Sequence, residues 1–265
     1  RRQRQMCIRD RDPDAVIKYK NRMGTIWKLV KQLNLLKNQQ QENLDNWLKS
    51  MLQRRIQKIL TAFETLDLRI SSNEIFFEIQ KDLQWYVKRG GANKKVLETY
   101  VQTWILLMAP ITPHLAEELW ITQGQKQFVS NESYPSFNPE GISEKDEVGE
   151  YLLIRVIDDV NEIIKVTKIT PKKICIYTAP AWKQQLFRKA LERTAQNNFN
   201  AGQLIKETMA DPAMKPLGQQ ISQFIAKIAA EVKTISENDR GRFMIPLDEK
   251  KHLSDATSYL SKTLH

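Results

Sequence analysis

The sequence predicts a mainly α protein: a helical bundle over residues 12–140, then a long helix and a small α+β domain over 141–265. Three observations predict it. Glycine and proline are scarce, at nine and ten in 265 residues, while Leu, Ile, Lys, Glu and Gln, which lose little on entering a helix, are abundant. Apolar residues recur at three- and four-residue spacing through most of the chain, the period of a helix with one buried face. Only Lys173-Ile-Cys-Ile-Tyr177 is short, rich in β-formers and bounded by turn residues, and it reads as a strand.

The first helix runs from Asp14 to about Leu36, with Val16, Ile17, Ile26, Trp27, Leu29, Val30, Leu33 and Leu36 on one side. Asn38 to Asn43 is a polar loop, and Asp45 reads as the N-cap of a helix to about Leu66 that turns Trp47, Leu48, Leu52, Ile56 and Ile59 inward. Ser71-Ser72-Asn73 opens the next helix, which must stop at Gly90-Gly91. Trp104 to Ala109 is apolar nearly all round, as in a buried helix, and Pro110 ends it. Thr112 and Pro113 then read as N-cap and first-turn proline of a helix facing inward with Leu115, Ala116, Leu119 and Trp120.

Ile121 to Gly141 is an irregular surface connection and a domain boundary. Ser143 with Asp146 resembles a capping box for a helix to about Ile169, ended by Thr170-Pro171. After the strand, helices are expected from Pro180, at Asn200 to Met209, at Leu217 to Val232 and at Leu247 to Leu264. A lone strand cannot satisfy its backbone, so its partner is either an extended piece at Phe243 to Ile245 or sequence lying elsewhere.

The net charge of +10 points to an anionic partner, with nucleic acid ahead of an acidic membrane surface. Residues 1–11 inflate it. Met6-Cys7-Ile8-Arg9-Asp10-Arg11 is what one reading frame of a common sequencing-library transposon end encodes, so 1–11 is expected to be an assembly artefact; a basic arm touching RNA is the alternative. Without its five arginines and one aspartate the charge falls by four to +6, still basic. Cys7 and Cys175 offer no disulfide or zinc framework, no stretch is long and apolar enough to span a bilayer, and no signal peptide is visible, so a cytoplasmic protein without a membrane partner is expected.

Two clusters bear chemistry. His114, Glu117 and Glu118 are close on one helix, but no second copy of the pattern supplies further ligands, so a structural role is expected and no metal site or catalytic residue is assigned. Trp85, Tyr86, Lys88, Arg89, Lys94 and Lys95 gather aromatic and basic groups around Gly90-Gly91; they suit either base stacking with phosphate neutralisation or, for the aromatics, a place in the core. The glycine pair lacks the surroundings of a phosphate loop.

The run Ala109-Pro110-Ile-Thr112-Pro113-His114-Leu-Ala-Glu117-Glu118-Leu-Trp120, preceded by Trp104, resembles the signature of the helical anticodon-binding-type domain of class I aminoacyl-tRNA synthetases for leucine, isoleucine and valine. Asp82 to Arg89, Val156 to Lys168 and Pro171 to Lys183 narrow the resemblance to the leucyl-tRNA synthetase family of the archaeal and eukaryotic-cytosolic type. An isoleucyl or valyl relative, or a non-catalytic helical scaffold for a protein partner, is the alternative.

The resemblance implies an enzyme that joins leucine to its tRNA with ATP and Mg²⁺ and edits mischarged products. This chain holds neither the His-x-Gly-His nor the Lys-Met-Ser-Lys-Ser type of motif on which that chemistry depends; it is expected to bind no cofactor, to be inactive alone and to work beside catalytic and editing domains. The family's further terminal extension, which bears on the long variable arm of the tRNA, does not follow His265, which implies truncation. The RNA-binding candidates are Arg54, Arg55, Lys58, Trp85, Lys88, Arg89, Lys94, Lys95, Lys172, Lys173 and Lys183.

Overall fold

The computed structural model describes residues 13–33, 36–212 and 214–264, so the suspected artefact at 1–11 lies outside the described residues. The chain divides into two compact units, the first ending at Asp146 and the second beginning at Glu147.

The first unit is a helical bundle. Its elements are α1 (Pro13–Leu33), α2 (Glu42–Glu64), α3 (Leu68–Asn73), a π-helix (Glu74–Glu78), α4 (Ile79–Lys88), α5 (Lys94–Met108) and α6 (Pro113–Thr122). The inward faces of α1, α2, α4 and α5 meet in one core, where Ile26, Leu48, Ile59, Ile79, Leu83, Tyr86 and Trp104 are fully buried. Met108 and Leu107 are buried too, as the all-round apolar pattern before Pro110 requires.

Several helix starts differ from expectation. The polar loop is shorter, since α2 begins at Glu42 and Asp45 is buried inside its first turn, its carboxylate taken by tertiary partners. The next helix starts at Leu68, three residues before Ser71, because the Asp67 carboxylate accepts from the N–H groups of Arg69 and Ile70. Thr112 stands before Pro113 as expected, yet its hydroxyl donates back to the Met108 carbonyl and caps nothing.

Between α3 and α4 the helix widens, and tertiary donors explain where. Trp104 Nε1 donates to the Ile75 carbonyl at 2.8 Å, Arg22 Nε to Phe76 at 2.8 Å and the Tyr100 hydroxyl to Ile79 at 3.0 Å. Carbonyls of a wide turn need such outside partners. Here α1 and α5 supply them, so the bulge is pinned from two sides.

The second unit contains the rest of α7 (Glu144–Thr167), then α8 (Ala181–Ala195), α9 (Ala201–Met209), α10 (Gly218–Thr234), α11 (Glu237–Met244), α12 (Glu249–Asp255) and α13 (Thr257–Thr263). Leu186, Ala190 and Leu191 of α8, Leu204 of α9 and Ile221, Ile225, Ile228 and Val232 of α10 form its core. Before α7, the Ser143 hydroxyl donates to the Asp146 carboxylate, while the Ser143 N–H goes to Ser50 Oγ at 2.8 Å.

The mainly α class holds, and the expected strand does not. Lys173 to Tyr177 forms no regular secondary structure, and the one pairing outside helices among the described residues is an isolated antiparallel bridge between Gln39 and Ala92. Phe243 and Met244, the suggested partner, end helix α11 instead. The second unit is therefore helical among the described residues, not α+β. The last predicted helix is also two, divided at Ala256. No described helix is long and apolar enough to cross a membrane.

Candidate nucleic-acid interface

The basic turn expected at Gly90-Gly91 is built by the end of α4. Gly90 N–H donates to the Val87 carbonyl and Gly91 N–H to Tyr86, closing the helix with a left-handed residue, Gly90, at φ 94°. Gly91 lies against the Tyr86 ring so closely that an added Cβ would stand 2.5 Å from it.

Tyr86 is fully buried, and its hydroxyl donates to the Asp45 carboxylate of α2. Asn93 adds two bonds, its Nδ2 to Asp45 at 2.7 Å and its backbone N–H to the Tyr86 oxygen at 3.1 Å. Burial pushes the Tyr86 phenol well above its ordinary range, and the Asp45 charge pushes further, so it stays a donor.

Residues before α2 strap the turn from outside. Gln39 N–H donates to the Ala92 carbonyl at 3.1 Å, Gln41 Nε2 to Gly90 at 3.3 Å, and Asn38 Oδ1 accepts from the Lys94 N–H at 2.9 Å. The exposed side chains of Lys88, Lys94 and Lys95 thus project from a fixed backbone. Arg89, the C-cap of α4, is half-buried beside them. Trp85 packs partly buried against the core, which favours the core reading for this aromatic as for Tyr86.

The α2 candidates are engaged elsewhere. Arg55 reaches Asp82 at 2.7 Å and Glu74 at 2.8 Å, with Glu78 at 3.8 Å, and its side chain is 14% exposed. Burial alone would lower its pKa; hydrogen bonds and charge from Asp82 and Glu74 more than reverse this, so it remains a cation. The Asp82 carboxyl is pushed up, by burial first, and the neighbouring Glu78 and Glu74 charges act in the same direction against Arg55. Arg55 is thereby part of the fold, unlike its expected role at an RNA surface. Lys58 donates to Glu74 at 2.9 Å, and Arg54 lies 3.6 Å from Glu144.

In the second unit, Lys172 and Lys173 are exposed on the irregular segment before α8, while Lys183 sits over the Trp182 and Phe224 rings at 5.4 and 5.6 Å. His114 and Glu118 are exposed on α6, and Glu117 accepts from the Val129 N–H at 3.1 Å. No cluster of three or more metal-ligating side chains occurs among the described residues.

Sequence reasoning missed both buried polar networks. A signal for one was present: Glu74, Glu78 and Asp82 recur every four residues on a helix whose other repeats are apolar, which calls for a buried cation.

These features define a helical module, a packed bundle that displays lysines on a braced turn. Residues 45–176, just under half of the chain, match the family described as the anticodon-binding domain of tRNA ligase.

Among particular relatives, it is similar to the leucine–tRNA ligase of Methanosarcina barkeri, 37% identical over 225 residues that make up 84% of this chain and 23% of the relative. It is also similar to that of Methanococcoides burtonii, 35% identical over 226 residues, 84% of this chain and 23% of the relative. The enzyme of Archaeoglobus fulgidus is 33% identical over 215 residues, 81% of this chain and 22% of the relative. The chain spans less than a quarter of the length of these relatives.

Proposed function

We propose that this chain is the tRNA-docking part of a cytoplasmic leucine–tRNA ligase, holding the RNA body while ATP- and Mg²⁺-dependent leucylation and editing take place in other domains of the same enzyme. The observation that carries the proposal is the braced turn of the first unit, where Lys88, Lys94 and Lys95 stand exposed within the segment that matches the tRNA-ligase family. Cations held on a fixed backbone suit a phosphate track, which positions a folded RNA without reading its bases. Arg54, Lys58, Arg89, Lys172, Lys173 and Lys183 are further candidate contacts; Arg55 and Trp85 serve the fold. The leucine assignment is supported by relatives whose names are leucine–tRNA ligases.

The test is filter binding of the chain to leucine tRNA across a salt series. Lys88→Glu, Lys94→Glu and Lys95→Glu combined should weaken binding and reduce the salt slope by roughly 0.7–0.9 for each phosphate no longer neutralised. An unchanged slope removes this turn from the interface. Competition by a tRNA without a long variable arm checks the leucine assignment, which requires it to compete less well.

A further inference from the structure

Inside the second unit, α7, α8 and α11, with the segments on either side of α11, line an open cleft of about 540 Å³. That lies within the roughly 300–1,000 Å³ common for small-ligand sites. Its wall combines arginines with aromatic rings. Arg155, Arg188 and Arg242 outnumber the two carboxylates, Asp239 and Glu249.

The aromatic part is organised around Tyr151. Its hydroxyl donates to Asp239 at 3.4 Å, and the Arg242 guanidinium lies 4.4 Å from its ring centroid while reaching the same carboxylate at 3.2 Å. The Arg242 side chain is still 39% exposed. Phe187 and Phe243, also on the wall, meet edge to face at 5.7 Å. Arg155 follows Tyr151 by one helical turn, so both project from one side of α7, and Arg155 is exposed without an ion-pair partner among the described residues.

A planar guanidinium held over a ring, beside two more rings, is a surface on which a nucleobase can stack. Arginines at its edge offer forked donors suited to phosphate oxygens. We infer that this cleft binds a nucleotide, with the base against the Tyr151–Arg242 pair and Phe187 and the phosphate at Arg155 and Arg188. Glu249, on the same wall as Arg188 and within reach of its charge, is the group the phosphate must compete with. The site belongs to the second unit and does not depend on the tRNA reading.

The test is calorimetric titration of the whole chain with AMP, adenosine, inorganic phosphate and a short 5′-phosphorylated single-stranded RNA. AMP should saturate one site, with adenosine and phosphate each about tenfold weaker or worse. Arg155→Gln, an exposed change that leaves the core untouched, should weaken AMP about tenfold, and Tyr151→Leu should do the same with an unchanged circular dichroism spectrum. The triple lysine reversal of the first unit should leave AMP binding as it was, which separates this site from the proposed tRNA surface. Saturation by AMP alone supports the site and marks a free nucleotide as the ligand; saturation by the RNA that Arg155→Gln weakens and the triple lysine reversal spares supports it with the nucleotide carried on a strand, and RNA binding that only the lysine reversal weakens, without AMP binding, overturns it. Binding by neither overturns the inference, as do parental affinities in both Arg155→Gln and Arg188→Gln, or phosphate binding as tight as AMP.

Discussion

Replacing Gly91 by alanine would place a methyl carbon 2.5 Å from carbon atoms of the Tyr86 ring. The ring cannot swing aside freely, because Tyr86 is fully buried and its hydroxyl is held by Asp45 and the Asn93 N–H. Two costs follow. Overpacking a filled core typically costs about 1–3 kcal/mol. If the ring tilts to make room, the hydrogen bond to the charged Asp45 is weakened, which is worth up to about 1.5–3 kcal/mol. Because the tilt relieves part of the clash, the two do not add fully, and a loss of roughly 2–4 kcal/mol is expected. Urea denaturation followed by circular dichroism reads it directly. A double-mutant cycle with Tyr86→Leu isolates the cause, since removing the ring should relieve most of the penalty of the alanine. Parental stability in Gly91→Ala, or strict additivity in the cycle, would refute the packing argument.

Leu66 ends α2 in the left-handed region at φ 56° and is 83% exposed, so Leu66→Gly relieves strain at little loss of burial and should raise the urea midpoint by about 0.5–1 kcal/mol in stability. A lower midpoint would show that the side chain contributes more than its exposure suggests. Arg55→Ala leaves Asp82 buried without its cation and Glu74 with Lys58 alone, and should cost about 3–5 kcal/mol near neutral pH. The pH dependence has a defined sign. Asp82 already has a raised pKa in the folded state, and loss of Arg55 raises it further, so its protonated form favours folding and that contribution disappears as pH rises through the folded value. The gap between variant and parent should therefore narrow as pH falls from about 7 towards 4, and a gap that widens in acid would contradict the network. The purified chain should give no leucine-dependent pyrophosphate exchange, and any clear exchange would place catalytic chemistry within it.

The sequence made the helices legible because a buried stripe must repeat with the helical period, and Trp104 to Met108 or Leu186 to Leu191 admit no other arrangement. It misplaced Asp45 because an aspartate near a helix start is a cap signal whether its oxygens serve the local backbone or a distant tyrosine. The π-helix was invisible for a related reason: its position follows donors from Arg22, Tyr100 and Trp104, which no local pattern encodes. Lys173 to Tyr177 shows the limit of β-propensity, which describes fit to a pleated surface and requires a neighbour to supply one. The lysine turn could be read from its glycines, whereas the diversion of Arg55 into the fold depended on carboxylates one helix away.

The bonds joining residues 38–41 to residues 90–94 fasten together points some fifty positions apart in the chain. The polypeptide from Glu42 to Lys88 is consequently a closed circuit, whose clasp is made of backbone and amide groups and not of hydrophobic packing. Opening it releases both ends at once, so the amide protons of Gln39 and Lys94 should exchange with solvent in a single concerted step, more slowly than their place near the surface would suggest.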